Sequence, residues 1–146
     1  MAVSLDKLKD ENMQSDRYLT SVGVALLRLG ISFVFLYFGI NQLISPKDFI
    51  AWLPSEASII PLSSVTLIIL NGSLEVFLGI MLLLGLYTRI SAVILSIHLF
   101  AITYTIGYTQ IGVRDFGLSV ATLALALTGP GVFSVSNYIR ERKEST

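Results

Sequence analysis

The chain has 146 residues, 53% of them hydrophobic and only 14% charged, and its ten basic and ten acidic residues cancel to a net charge of zero. A soluble domain carries about 25% charged residues, so there is too little polar surface here to cover a water-exposed globule, in keeping with a mean hydropathy of +0.75. No basic block offers a surface for nucleic acid. The absence of cysteine excludes a disulfide framework, a thiolate nucleophile, a CxxC redox pair and a zinc–thiolate site.

Residues 1–18 mix Lys7, Lys9 and Arg17 with Asp6, Asp10, Glu11 and Asp16 and read as a polar N-terminal tail. The apolar run that follows is far longer than the core of a signal peptide and has no A-x-A site, so a retained first span is expected. Four long apolar segments then follow, at about residues 19–44, 61–86, 90–108 and 115–135. Each is close to the roughly 20 residues that cross about 30 Å of hydrocarbon as a helix. In lipid every backbone N–H and C=O needs an internal partner, so the segments must be helical. The predicted fold is all-α, a four-transmembrane-helix bundle. Residues 19–135 form the membrane domain and residues 136–146 a C-terminal tail.

Between the first two spans, residues 45–60 are long enough to hold structure of their own. Ser45 can cap a helix, Pro46 suits its first position, and Asp48 favours the positive end of the helix dipole. Phe49, Ile50, Trp52 and Leu53 follow before Pro54 stops the run. A short helix lying in the membrane interface and anchored by Trp52 is expected; the alternative is a plain loop over the bundle. Between spans two and three, Gly85-Leu86-Tyr87-Thr88-Arg89 reads as a tight turn, which makes those spans antiparallel neighbours.

With four spans, Lys7, Lys9, Arg17, Arg89, Arg140, Arg142 and Lys143 share one side of the membrane, against Lys47 and Arg114 on the other. Positive residues stay cytoplasmic. A multi-pass protein of the inner or plasma membrane with both termini in the cytoplasm is expected.

The informative residues are the polar ones inside the spans. A charge at the bilayer centre costs about 2.5–3.5 kcal/mol on insertion scales, so Arg28, Glu75 and His98 each need a partner or water. Counted from the cytoplasmic ends of their spans at ~1.5 Å per residue, all three fall roughly 14–16 Å deep. Asn71, Gly72, Glu75 and Gly79 share one face of span two, Gly23 and Gly30 give span one a similar groove, and Ser119 and Thr122 reach the same level on span four. Small residues let membrane helices approach, so these faces are expected to point inward. The predicted cluster comprises Arg28, Asn71, Glu75, His98, Ser119 and Thr122, with an Arg28–Glu75 ion pair at its centre. Two roles remain open for it: a device that fixes helix register, since removing one partner of a buried pair is costly, or a ligand pocket. A single histidine cannot supply bis-histidine haem ligation. No phosphate loop, dinucleotide fingerprint or Ser-His-Asp spacing is present, so no cofactor is bound by motif.

Three segments in order carry a family resemblance. They are LLRLGISFVFLYFGINQL at residues 26–43, then Glu75-x-x-x-Gly79 followed by Gly85-Leu86-x-Thr88-Arg89, then Leu127-Thr128-Gly129-Pro130-Gly131 with Phe133 and Ser134. Over residues 26–136 the chain resembles the DoxX family of small four-helix membrane proteins. Gln42 stands where that family often has lysine, and Val132 and Ser136 replace its frequent arginine and aspartate. The resemblance implies either of two roles. One is an accessory, quinone- or lipid-facing subunit of a membrane redox system, with quinone as ligand and a partner protein supplying electrons. The other is a non-enzymatic adaptor or assembly protein that binds a partner protein or lipid. Oligomers are compatible with both.

Overall fold

Local chemistry sets where each helix stops. The protein is described here by a computed structural model that places residues 2–145. Helix α1 runs Ala2–Ile44, α2 Ser64–Leu84, α3 Thr88–Ile106, α4 Gln110–Thr128 and α5 Val135–Glu144. Among the described residues there is no strand. Gly85, at φ 72°, closes α2: its N–H donates to Leu82 O and the next N–H, of Leu86, to Met81 O. That pair of bonds is a Schellman stop, which needs a left-handed residue that glycine supplies without strain. The Ser63, Thr109 and Ser134 hydroxyls accept backbone N–H bonds from Thr66, Gly112 and Asn137, capping α2, α4 and α5.

Helices α1 to α4 are long and apolar enough to cross a membrane. They pack as two antiparallel hairpins, α1 along α2 and α3 along α4, with sparser contact between the hairpins. In the first hairpin the backbones touch. A Cβ built on Gly39 would lie 2.9 Å from the Gly72 carbonyl oxygen, and one on Gly72 2.8 Å from that of Gly39. Gly79 sits against Leu36 and Gly85 against the Arg28 guanidinium, which fixes the antiparallel register along the whole pair. In the second hairpin Ser96 Oγ donates to Ser119 O at 2.9 Å, and the Phe100 and Phe116 rings lie 6.2 Å apart.

The end of the bundle that carries the α2–α3 turn and α5 (the proximal end) is solid. Ile31, Phe35, Leu78, Leu82, Ala92, Leu95 and Leu125 form its buried core. Towards the other, distal end the four helices separate, and residues 46–59 cross that end as a strap. Most large apolar side chains face outward instead, among them Leu26, Phe33, Phe77, Ile97 and Leu127. An apolar coat that extensive belongs against lipid rather than water. The protein is a multi-pass, four-span membrane protein.

Several predicted boundaries shift. The first helix begins at Ala2, not at residue 19, because charged residues such as Lys9 and Glu11 are good helix formers; hydropathy marks the lipid-facing part of a helix, not its end. The fourth begins at Gln110, where Thr109 caps it, and stops at Thr128 before Gly129 (φ 84°) and Pro130. Most of the predicted C-terminal tail is α5. Where a short interfacial helix is expected after Ser45, the chain forms two 3-10 segments, Pro46–Trp52 and Ser55–Ile59, and the Ser45 side chain makes no capping bond. Gly23 and Gly30 do not line the interior: nothing lies within 4 Å of a Cβ on either, whereas Gly39 makes the close approach.

Candidate ligand cavity

Glu75 is buried on the inward face of α2, 4% exposed, and three side chains converge on its carboxylate. Asn71, one turn earlier on the same helix, donates to Glu75 Oε1 at 3.0 Å. Gln42, near the end of α1, donates through Nε2 to Glu75 Oε2 at 3.0 Å and accepts from Asn71 Nδ2 through Oε1 at 2.7 Å. From α3, His98 Nε2 stands 3.4 Å from Glu75 Oε1 and donates to it in the tautomer that carries a proton there. Gln42, Asn71 and Glu75 close a ring of hydrogen bonds across the α1–α2 seam that the small Gly39 and Gly72 make possible. His98 joins that ring from the second hairpin.

The network lines one wall of a cavity of about 550 Å³ between the hairpins, a size typical of small-molecule sites. Its other walls are largely apolar: Phe35 and Phe38 from α1, Ile68 from α2, Leu99 and Ile102 from α3, Leu118 from α4. Phe49, Trp52, Leu53 and Ala57 of the strap roof it. Arg114 and Asp115 of α4 also face it. Arg114 Nε donates to Asp115 Oδ1 at 2.9 Å, and the guanidinium carbon lies 5.5 Å from the Phe38 ring centre.

Of the six predicted cluster residues, Asn71, Glu75 and His98 come together. Ser119 and Thr122 are buried, but their hydroxyls bond back to Phe116 O and Leu118 O of their own helix, the usual use of such residues inside a helix. The predicted Arg28–Glu75 ion pair is absent. Arg28 instead donates to Leu82 O at 3.5 Å and to Phe133 O, so it binds the end of α2 to the segment after α4. The error lies in the depth count. Counting inward from residues 19 and 86 treats them as level, whereas the register set by Gly39–Gly72 and Gly85–Arg28 places Arg28 at the proximal turn. Glu75 is then level with Gly39, eleven residues or roughly 16 Å further along α1.

Sequence reasoning missed Gln42 and Arg114. Gln42 was noticed only as a departure from the family's lysine, although its place one turn beyond Phe38 and three residues after Gly39 put it on the packed face. Arg114 was counted as a topology marker because it sits one turn inside α4, where a cation can reach water.

A four-span bundle with a ligand-sized, largely apolar cavity between its two hairpins, polar along one wall, defines the class. A family model, DoxX, matches residues 23–108, well over half of the chain, and the chain belongs to the DoxX family. The matched stretch contains the whole Gln42–Asn71–Glu75–His98 network; Arg114 and Asp115 lie beyond it. No curated protein and no solved structure matches the chain.

Proposed function

We propose that the chain is an accessory, quinone-facing subunit of a membrane redox system, set in the plasma membrane with both termini in the cytoplasm. The observation that carries this reading is the apolar cavity with Glu75 and His98 at its polar wall. A quinone headgroup needs apolar surroundings together with groups that give and take protons. Reduction of a quinone to its quinol consumes two electrons and two protons. His98 and Glu75, in contact with each other, are placed to pass one of these protons to the carbonyl oxygen that faces them, and the other reaches the second oxygen from water. With no cysteine in the chain, the electrons come from a partner redox protein. The polar stretch of α1 over residues 9–20, exposed throughout, offers that partner a surface. The same surface serves the adaptor role if the cavity holds only lipid.

Trp52, the single tryptophan, lines the cavity and serves as a built-in reporter. Saturable quenching of its fluorescence by a short-chain quinone is expected in mild detergent, as is quinone in solvent extracts of the purified protein. His98→Gln should weaken quinone binding about tenfold or more, while unfolding stability changes by no more than roughly 0.6 kcal/mol, the average worth of one interhelical hydrogen bond. A stoichiometric protein partner with no quinone and no quenching would reject this reading in favour of the adaptor.

A further inference from the structure

The cavity has a second polar station, facing the first. Arg114 and Asp115 project from α4 into the same space as Gln42, Glu75 and His98. Asp115 is nearly enclosed, its side chain 9% exposed, whereas Arg114 keeps 57% of its side-chain surface open. The carboxylate engages Nε, leaving the other guanidinium donors of the fork for a further acceptor. The Phe38 ring supports the guanidinium from the α1 side, a contact that holds a planar cation in place. Thus the arginine is aimed and charge-compensated, with donors to spare.

The spacing of the two stations follows from α1. Phe38 under Arg114 and Gln42 in the glutamate network are one helical turn apart, roughly 5 Å along the axis. Both stations therefore border one stretch of the same cavity. A ligand with one polar head, such as a fatty acid, engages one station and gains nothing from the spare donors of the other. A flat ring with an acceptor on each of two opposite edges satisfies both.

We propose that the cavity selects para-quinones by gripping both carbonyl oxygens, one at the His98–Glu75 wall and the other at Arg114, and that Arg114 is a specificity-determining residue. This rests on the quinone reading given above. Arg114 donates to the far oxygen, Asp115 and Phe38 orient it, and the apolar walls enclose the ring.

Two probes of similar ring size separate the alternatives: 2-methyl-1,4-naphthoquinone, with two carbonyls, and 1-tetralone, with one. Affinities are measured on the full chain in detergent by Trp52 quenching for the quinone and by competition for the ketone, both referred to concentration in the micelle. The wild-type chain should prefer the quinone on the order of tenfold or more, the worth of a hydrogen bond from a charged donor. Arg114→Met should bring quinone affinity down to that of the ketone and leave the ketone unchanged. If that variant misfolds through its orphaned carboxylate, Arg114→Met with Asp115→Asn gives the same readout without a buried unpaired charge. Equal binding of the two probes by the wild type, or equal weakening of both by the variant, overturns two-point recognition while the quinone reading stands. Absence of saturable quinone binding by the wild type overturns the quinone reading, and this inference falls with it.

Discussion

Arg28 is 4% exposed and has no carboxylate partner among the described residues. Its compensation comes from backbone. The last carbonyls of a helix carry partial negative charge, and Arg28 reaches Leu82 O near the end of α2 as well as Phe133 O. Its Nε, like Thr88 Oγ1, has no hydrogen-bond partner among the described residues, so the guanidinium is held by its two terminal nitrogens. Arg28→Met should destabilise the protein by about 2–4 kcal/mol, since charged-donor bonds and desolvated carbonyls are lost together. Thermal or denaturant unfolding in detergent measures this. The same experiment tests the missing ion pair. Arg28→Met and Glu75→Gln should be additive to within about 0.5 kcal/mol in a double-mutant cycle, as expected for groups without shared partners. A coupling of several kcal/mol would restore the pair. At this scale the sequence identified the right residue types but not their company. A buried Glu and a buried Arg suggest each other, yet the chain satisfied one with amides and a histidine and the other with carbonyls. Only the helix register, invisible to hydropathy, decides between those outcomes.

Among the helices, the α1–α2 seam is the most constrained element. Gly39→Ala and Gly72→Ala each push a methyl group into the other strand of the hairpin within 3 Å of a carbonyl oxygen. Each should cost about 1–3 kcal/mol, as overpacking does, and should also weaken ligand binding, because Gln42 and Glu75 meet across this seam. Gly23→Ala and Gly30→Ala, with open space around them, should be neutral or stabilising by up to about 1 kcal/mol through helix propensity. Melting curves of the four variants give the ranking, and a reversed order would contradict the seam. Four helices were legible because about 20 apolar residues have one solution in lipid. The face of span two was legible because Asn71, Gly72, Glu75 and Gly79 follow the helical repeat. The face of span one was misread because Gly23 and Gly30 keep the same spacing as an interior stripe, and in a membrane helix both faces are apolar. The motifs of the family resemblance gather mostly at the proximal end. Gly85 packs on Arg28, Gly129 on Arg89 and Gly131 on Val24, while Ser136 Oγ donates to Gly85 O. They mark a clasp more than a cavity.

For the molecule as a whole, the seven-to-two division of basic residues between the ends of the spans predicts an orientation that labelling can check. The chain has no cysteine, so Asp10→Cys, Ile50→Cys and Arg142→Cys each introduce a single reactive site. Membrane-impermeant thiol reagent applied from outside should modify position 50 alone, and positions 10 and 142 only after the membrane is opened. Labelling of 10 and 142 from opposite sides would contradict an even number of spans. The cavity of the distal half is not legible in the sequence, since apolar residues line it as they fill the proximal core.

The reach of Arg28 also imposes a timetable. Its first acceptor, on Leu82, lies 54 residues further along the chain and its second, on Phe133, 105 residues further. A ribosome adding ~5–20 residues per second takes roughly 5–20 s to cover the longer interval. For most of it α1 is already made, with its guanidinium at best half met. The first bond forms when the opening hairpin is finished, the second only after α4 and the segment that follows it have emerged. A chain released before residue 133 therefore keeps all the spans made by then but lacks the closing contact.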